Sequence, residues 1–388
     1  MRNHQGMEVS FAAAEAVRLC NVDVVAAYPI TPQTHIVERL SKYVADGKMD
    51  AEFVPVESEH SALSLCIGSS AVGARSFTCT SSQGLALMNE IVYLVPALRL
   101  PIVMILANRS LSGPLSIWND HSDVMSVRDT GWIQLFAENG QEVFDHVMIA
   151  YKIAENENVL LPVIINMDGF ILSHMFEPIE LTGQEAVNTY LPSYRPRFIL
   201  HPDRPVTMGA YTMPTLFTEA KKAQEEALLA SYPYILQAWK DWGTLCGRVY
   251  HPVETYYTEG AETLFVTMGS IGETAGEAVR LLREQGQKAG LVKLRLWRPF
   301  PLEDFLREIG SAQRLIVIDR ALSPGGPGGG PVAGEIRAAL YNRENRPQVF
   351  NFIAGLGGRE VTVGSFQEMF VSSVSGKASG YQIFGVRG

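Results

Sequence analysis

Cysteine is scarce in this chain of 388 residues: there are four, Cys20, Cys66, Cys79 and Cys246, and no two lie within four residues of each other. That spacing excludes the CxxC arrangements that hold zinc or an iron–sulfur cluster. If the protein moves electrons, another chain must carry the clusters. Cys20, Cys66 and Cys79 sit in apolar stretches, where a free thiol is a small buried hydrophobe. Positive charge is also short, with 32 Lys and Arg against 41 Asp and Glu and a net charge of −9. A nucleic-acid partner needs a basic excess and is not expected. No apolar run reaches the roughly 18 residues of a membrane span. Residues 1–7 are polar and lack the apolar stretch of a secretory signal, so a cytoplasmic protein with no membrane partner is expected. No GxGxxG stands at a strand-to-helix turn, which argues against an NAD-linked dehydrogenase. No second histidine lies at ligand spacing from His121, so that residue reads as a hydrogen-bonded loop histidine and no metal site is expected.

What remains is a composition suited to a packed interior, with 47% apolar and 19% charged residues. The length suggests two domains, or one large domain with an extension. Over the first 170 residues, strand and helix signals alternate. The segments at 22–27, 75–79, 101–107, 133–137 and 161–166 read as strands. Helical spacing marks 33–43, 58–72, 83–95 and 141–156. Repeated βα units of this kind imply a parallel sheet covered by helices. From about 170 to 255 the rhythm breaks. Prolines are frequent, and one long amphipathic helix is expected over 216–242, so we read this segment as an arm of a first domain spanning 1–255. The alternation resumes near Ala261 with strands at 263–267, 290–294, 314–319 and 348–352, giving a second, smaller α/β domain over 256–388.

Open parallel sheets bind ligands at the carboxyl ends of their strands. Four such turns carry polar chemistry. In Tyr28-Pro29-Ile30-Thr31-Pro32, two prolines stiffen the backbone around a hydroxyl that can either reach a substrate oxygen or cap the next helix. In Glu57-Ser58-Glu59-His60, two carboxylates open an apolar helix. The plain reading is capping and favourable interaction with the helix dipole. The sharper one places Glu59 inward against Ala62 and Leu63, able to hand a proton to a ring nitrogen, with Glu57 wetter. Thr80-Ser81-Ser82-Gln83-Gly84 puts several hydroxyls and a glycine between a strand and a helix, either as caps or as a cradle for a polar ligand edge. Arg109 follows the strand at 101–107 directly. It can clamp a carboxylate through parallel hydrogen bonds or pair with Asp120 or Asp123 in its own long loop. The glycine-rich stretches 324–330 and 355–358 are not followed by GK[ST], and both read as packing or interface loops.

The segments YPITPQT (28–34), ESEHSA (57–62), TSSQGLALMNE (80–90), ANRSLSGPLSIWNDHSD (107–123), RDTGWIQLFAENGQE (128–142) and MDGFILSH (167–174) resemble the alpha subunit of pyruvate:ferredoxin oxidoreductase and its 2-oxoacid relatives. So do MGAYTMP (208–214), MGSIGETA (268–275), LRLWRPFP (294–301), IDRALSPGG (318–326) and NFIAGLGGRE (351–360). The resemblance covers nearly the whole chain in order. It implies a thiamine-diphosphate-binding, pyrimidine-type parallel-sheet domain, followed by a smaller α/β domain like the transketolase C-terminal domain.

The same resemblance implies a hetero-oligomer. A beta subunit would hold the diphosphate and Mg²⁺, while ferredoxin-like and gamma-type subunits would complete the complex and carry the [4Fe-4S] clusters. The reaction implied converts a 2-oxoacid and coenzyme A to acyl-CoA, CO₂ and two electrons for ferredoxin. Glu59 matches the carboxylate that hydrogen-bonds the pyrimidine ring and so promotes deprotonation of the thiazolium carbon. Thr31 and Arg109 match the hydroxyl and the arginine that meet the substrate carboxylate. Tyr28, Pro29, Ile30, Ser82 and Gln83 are implied as further cofactor contacts. Pyruvate is the expected substrate, because YPITP and the loop at 107–123 are most similar to the pyruvate enzymes. The opening MRNHQGMEVS departs from the glycine–asparagine opening of many of them, and Leu111, Leu115, Ile117 and Trp118 could line a larger pocket. A branched-chain or aryl 2-oxoacid such as phenylglyoxylate is therefore the alternative. A non-catalytic scaffold subunit is the alternative of another class.

Overall fold

The computed structural model describes residues 4–378 and 380–387. Strand β1 (His4–Glu8) runs into helix α1 (Val9–Leu19), then β2 (Val24–Ala27), α2 (Thr34–Ala45), β3 (Glu52–Pro55), α3 (Glu59–Ala71) and β4 (Ser76–Thr80). Three short pieces, α4 (Ser82–Leu87), α5 (Asn89–Val92) and α6 (Leu94–Ala97), lead to β5 (Val103–Asn108). Then follow α7 (Ser122–Ser126), β6 (Ile133–Phe136), α8 (Gly140–Ala154), β7 (Val163–Asp168) and β8 (Phe176–Glu180). The arm carries α9 (Gln184–Tyr190), α10 (Pro214–Ala230) and α11 (Tyr232–Cys246). The second alternation is β9 (Val253–Tyr256), β10 (Thr263–Thr267), α12 (Ile271–Glu284), β11 (Ala289–Leu294), β12 (Leu296–Arg298) and α13 (Leu302–Ile309). It closes with β13 (Arg314–Asp319), α14 (Pro331–Leu340), β14 (Gln348–Ile353), α15 (Val363–Val374) and β15 (Tyr381–Ile383).

These strands form a seven-stranded sheet in the order β12-β6-β7-β5-β4-β2-β3 and a six-stranded sheet in the order β15-β14-β13-β10-β11-β9. Both are parallel except for one antiparallel edge strand each, β12 and β9. The expected α/β class with two parallel sheets is what the chain adopts. The change of domain expected near residue 255 falls inside β9, which already pairs with β11 of the second sheet. Strand β12, four residues of chain past the middle of β11, crosses back to the edge of the first sheet, so the two units are interleaved. Strands β1 and β8 pair with each other outside both sheets.

Every residue of β5 (VMILAN) and β7 (VIINMD) is buried, as a central parallel strand requires when helices cover both faces. Helices α1 and α8 cover one face with α2 and α11, and α2 turns Ile36, Val37, Leu40 and Tyr43 inward at helical spacing. The other face shares one continuous core with the second sheet, where Ala62, Leu63 and Leu106 belong to the same cluster as Val266, Phe305 and Ile336. A third cluster lies under α12 and α15.

Two helices expected to be continuous are not. The helix expected over 83–95 is the three pieces α4–α6. Pro96 has no N–H for the Val92 carbonyl, and the buried indole of Trp132 donates to that oxygen instead at 2.8 Å. The single helix expected over 216–242 is α10 and α11, broken at Ser231 just ahead of Pro233, which lies in the first turn of α11.

Candidate active site

The order β5-β4-β2-β3 brings the carboxyl ends of four neighbouring strands together. Each is followed by one of the turns singled out above: Arg109 after β5, Ser81 to Gln83 after β4, Thr31 after β2, and Glu59 at the start of α3 after β3. Helix α3 begins there because Ser58 adopts an extended conformation and its Oγ accepts the Ser61 N–H at 3.2 Å. That cap turns Glu59 into the protein, where it is 7% exposed. Glu57 stays on the surface and accepts a hydrogen bond from Ser61 Oγ at 2.6 Å.

Glu59 is the unusual member of this group. No side chain among the described residues hydrogen-bonds its carboxyl group. At the end of β4 and in the turn after it, the hydroxyls of Thr80 and Ser81 are buried and lack partners among the described residues. Glu59 and Thr80 border one small space, which glycine keeps open: a Cβ on Gly84 would overlap Thr80 Oγ1 and lie 2.7 Å from Glu59 Oε1. A buried hydroxyl without a partner is costly, and a carboxyl group with no partner beside it is open to a hydrogen bond from outside the chain.

Thr31 and Arg109 meet directly. The Arg109 guanidinium donates from Nη1 to the Thr31 carbonyl and from Nε to the Ser116 carbonyl, each at 2.9 Å. The Thr31–Pro32 peptide bond is cis. Thr31 is an exposed residue, and Arg109 Nη2 has no hydrogen-bond partner among the described residues. Burial lowers the pKa of Arg109, and the nearby Asp123 carboxyl opposes that effect. The arginine does not pair with Asp120 or Asp123 through its side chain.

Asp123 instead holds the two central turns in place. It accepts the backbone N–H groups of Ser82 at 3.1 Å and Arg109 at 2.9 Å, and the Asn108 amide at 3.1 Å. Burial raises its pKa to about 7, against the pull of those donors. Ser82, in the left-handed region at φ 43°, also hydrogen-bonds through Oγ to the Ser110 carbonyl and to Gln83 Oε1. Ser82 is therefore part of the frame, and Gln83, beside it, is half-buried. The Tyr28 carbonyl accepts from Gln33 Nε2 at 2.8 Å, while the side chains of Tyr28 and Pro29 are exposed and Ile30 is half-buried. No hydrogen bond among the described residues joins Glu59 to Thr31 or Arg109, so the site has an acid end and a cation end on one sheet edge.

Two anchors escaped sequence reasoning. One is Asp123, which was weighed only as an ion-pair partner. The other is Asp168, at the end of β7. Its carboxylate accepts from His121 Nε2 at 2.8 Å, Asn119 Nδ2 at 3.1 Å, the Ser270 N–H at 2.9 Å and Arg320 Nη1 at 2.8 Å. Burial pushes its pKa up, but Arg320 and His121 outweigh that and hold it well below the usual carboxylate range. His121 is thereby a hydrogen-bonded loop residue. Asp168 joins the first sheet to the β10–α12 turn and the β13 end of the second. No sequence pattern marks either anchor, because each partner set is assembled from distant segments. Of the stretch 324–330, the end packs and the start is exposed: Gly330 lies against Asp319, which caps α14 by accepting the N–H groups of Val332 at 2.9 Å and Ala333 at 3.0 Å.

Comparison with known proteins places these features in company. Residues 15–238 match the family model described as pyruvate flavodoxin/ferredoxin oxidoreductase, thiamine diphosphate-binding, and residues 261–366 match pyruvate:ferredoxin oxidoreductase core domain II. The chain is 46% identical over 358 residues to pyruvate synthase subunit PorA of Methanothermobacter thermautotrophicus, covering 92% of each chain. It is 45% identical over 360 residues to ketoisovalerate oxidoreductase subunit VorA of Pyrococcus horikoshii, covering 91% of this chain and 89% of that one. Among solved structures, a 2-oxoglutarate:ferredoxin oxidoreductase from Magnetococcus marinus, with 2-oxoglutarate, coenzyme A and succinyl-CoA bound, matches in fold with a TM-score of 0.69 at 21% identity. That match covers 97% of this chain and 65% of the longer one. A split-gene transketolase matches with a TM-score of 0.56 at 13% identity, covering 96% of this chain and 99% of that one.

Proposed function

The chain belongs to the pyruvate:ferredoxin oxidoreductase family, as an alpha-type subunit of a 2-oxoacid:ferredoxin oxidoreductase, and from that premise we propose that Glu59 serves the cofactor's pyrimidine ring while Arg109 and Thr31 receive the substrate carboxylate. When bound, thiamine diphosphate supplies the electron sink for loss of CO₂ from a 2-oxoacid. The single observation that carries the reading is the buried Glu59 carboxyl group with no partner among the described residues, next to the orphaned Thr80 hydroxyl. Such a group fits a heterocycle edge: it would hold a proton at its carboxyl oxygen for a ring nitrogen, and Gly84 leaves room for the approach. The Thr80 and Ser81 hydroxyls would offer further hydrogen bonds at that edge. Ser82 and Gln83 would hold the β4 turn in shape around it, and Tyr28, Pro29 and Ile30 would line its β2 side.

At the other end, Arg109 would present Nη2 to the 2-oxoacid carboxylate, its other donors being taken by fixed carbonyls, and the hydroxyl of exposed Thr31 would donate to an adjoining oxygen. A cation held this way meets substrate with little ordering cost. Pyruvate is the substrate we favour, supported by the similarity to PorA subunits. The comparable identity to a VorA subunit keeps a branched-chain 2-oxoacid in the comparison. The remaining machinery would lie in partners: a beta subunit for the diphosphate and Mg²⁺, and ferredoxin-like and gamma-type subunits for [4Fe-4S] clusters, consistent with the spacing of the four cysteines here. Coenzyme A would accept the acyl group.

The test is steady-state reduction of a ferredoxin-type acceptor by the purified complex with pyruvate, 2-oxoisovalerate and phenylglyoxylate, each with coenzyme A and with or without added thiamine diphosphate. The expected result is cofactor-dependent turnover with the highest kcat/KM for pyruvate. Turnover that survives complete removal of the cofactor refutes the reading. A scaffold subunit would leave turnover intact in Glu59→Ala and Arg109→Ala, and a loss by orders of magnitude excludes it.

A further inference from the structure

The segment between Arg109 and Asp123 is long and open, yet one of its carbonyls holds the arginine. Leu115, Ile117 and Trp118 are exposed, and their loop carries little apolar burial of its own. The first unit holds it through Trp118 against Phe170 and through the Asn119 amide on the Asn108 carbonyl, and the second unit supplies the rest of its seat with the turn at residues 355–358 after β14. The Gly358 N–H donates to the Asn119 carbonyl at 2.6 Å, and the Gly357 N–H to Asp120 Oδ2 at 3.2 Å. Asp120 Oδ2 also accepts from Ser110 Oγ at 2.6 Å, and the Ser110 N–H donates to the Trp118 carbonyl at 3.0 Å. Between those fixed points lies Ser116, whose carbonyl receives Arg109 Nε at 2.9 Å. The turn can come this close only as glycine: Gly355, Gly357 and Gly358 all have positive φ, and a Cβ on Gly358 would lie 2.6 Å from Trp118 Cβ.

We propose that this glycine turn of the second unit is a positioning element for Arg109, so that the second unit sets the 2-oxoacid affinity of a site otherwise built on the first. Arg109 has one side-chain anchor in the β2 turn, the Thr31 carbonyl, and one in the loop, the Ser116 carbonyl. Displacing the loop removes the second and frees the guanidinium to swing about the first. Among the described residues, no hydrogen bond joins the acid end, Glu59 and Gly84, to the turn, so the acid end is expected to keep its shape. Substrate affinity and cofactor affinity therefore separate. This inference rests on the assignment of Arg109 to the substrate carboxylate.

The experiment uses the assembled holoenzyme and compares Gly358→Ala with Gly376→Ala, a glycine of the same unit at φ 72° with no atom within 4 Å of an added Cβ. Both variants carry the strain of a side chain at positive φ, and only the first pushes the loop. The readouts are KM for pyruvate, the thiamine diphosphate Kd by calorimetry, and the thermal midpoint. Gly358→Ala is expected to raise KM on the order of tenfold with Kd unchanged, while Gly376→Ala changes neither. Equal KM values in the two variants overturn the proposal, as does a parallel loss of cofactor affinity in Gly358→Ala. If Gly358→Ala does not assemble, Asp120→Asn is read against Ser110→Ala, which removes the Ser110 Oγ bond to Asp120 within the loop and leaves the Gly357 N–H bond in place. A KM raised in Asp120→Asn beyond that of Ser110→Ala supports the proposal, and equal values overturn it. Arg109→Ala is run alongside: an unchanged KM there means that the assignment of Arg109 has failed, whereas a raised KM there with none in Gly358→Ala means that only the link from the second unit has failed.

Discussion

Replacing Arg109 with alanine should weaken substrate capture by a predictable amount. The guanidinium spends Nη1 and Nε on two carbonyls at 2.9 Å, which leaves Nη2 as its open donor. A charge-assisted hydrogen bond from such a group to a carboxylate is worth about 1.5–3 kcal/mol. At about 1.4 kcal/mol per tenfold, the loss corresponds to roughly 10- to 150-fold in kcat/KM. Lysine should recover only part of this, since it supplies a point charge without the planar fork that two carbonyls hold in place. The fold should lose little, about 1 kcal/mol, because the Thr31 and Ser116 carbonyls lie at accessible turns where water can replace the guanidinium. The assay is steady-state kcat/KM for pyruvate in the assembled complex, with the thermal midpoint as a control. A kcat/KM within about twofold of wild type, at unchanged stability, would refute the reasoning.

Gly84→Ala should crowd Glu59 and Thr80 and lower thiamine diphosphate affinity on the order of tenfold or more. Calorimetric titration of the complex reads this directly, with pyruvate KM as the comparison that should move less. His146 should make the fold sensitive to acid. It is fully buried between Trp239 and Tyr250, neither ring nitrogen has a partner among the described residues, and burial lowers its pKa from 6.5 to about 4. Because the folded value is depressed, the stability is present above about pH 6.5 and is lost as pH falls toward 4, up to about 3 kcal/mol in all. His146→Leu should remove that share, so the urea midpoint should fall less between pH 7.5 and 4.5 than in wild type; identical slopes would count against this.

Much of the architecture could be read from periodicity. The buried runs of β5 and β7 and the amphipathic spacing of α2 are local signals, and they placed those elements within a few residues. The broken helices were less legible, because the breaks ahead of α6 and α11 depend on where a single proline falls, and the one at Met88 between α4 and α5 carries no proline signal. Trp132 reaching the Val92 carbonyl is a contact across 40 residues, invisible to any window. Strand β12 was missed for a related reason: three residues that return to the other sheet carry no periodicity of their own. At the site, an inward Glu59 with a wetter Glu57 was one of two readings open in the sequence, and the Ser58 cap of the folded chain is what realises it. The meeting of Arg109 with Thr31 was not legible, because 78 residues separate them and only the order of the strands brings them together. Asp123 and Asp168 work by gathering donors from several turns, so their importance is a property of the assembled fold.

The role given to Glu59 is open to measurement without turnover. In the complex loaded with thiamine diphosphate, the exchange of the thiazolium carbon's proton with deuterated solvent can be followed by rapid quenching and NMR for wild type and Glu59→Gln. Glutamine keeps the shape but cannot hold the transferable proton, so cofactor Kd should stay within about threefold while exchange slows by roughly 10²- to 10⁴-fold. An exchange rate equal to that of wild type, with the cofactor fully bound, would contradict the assignment.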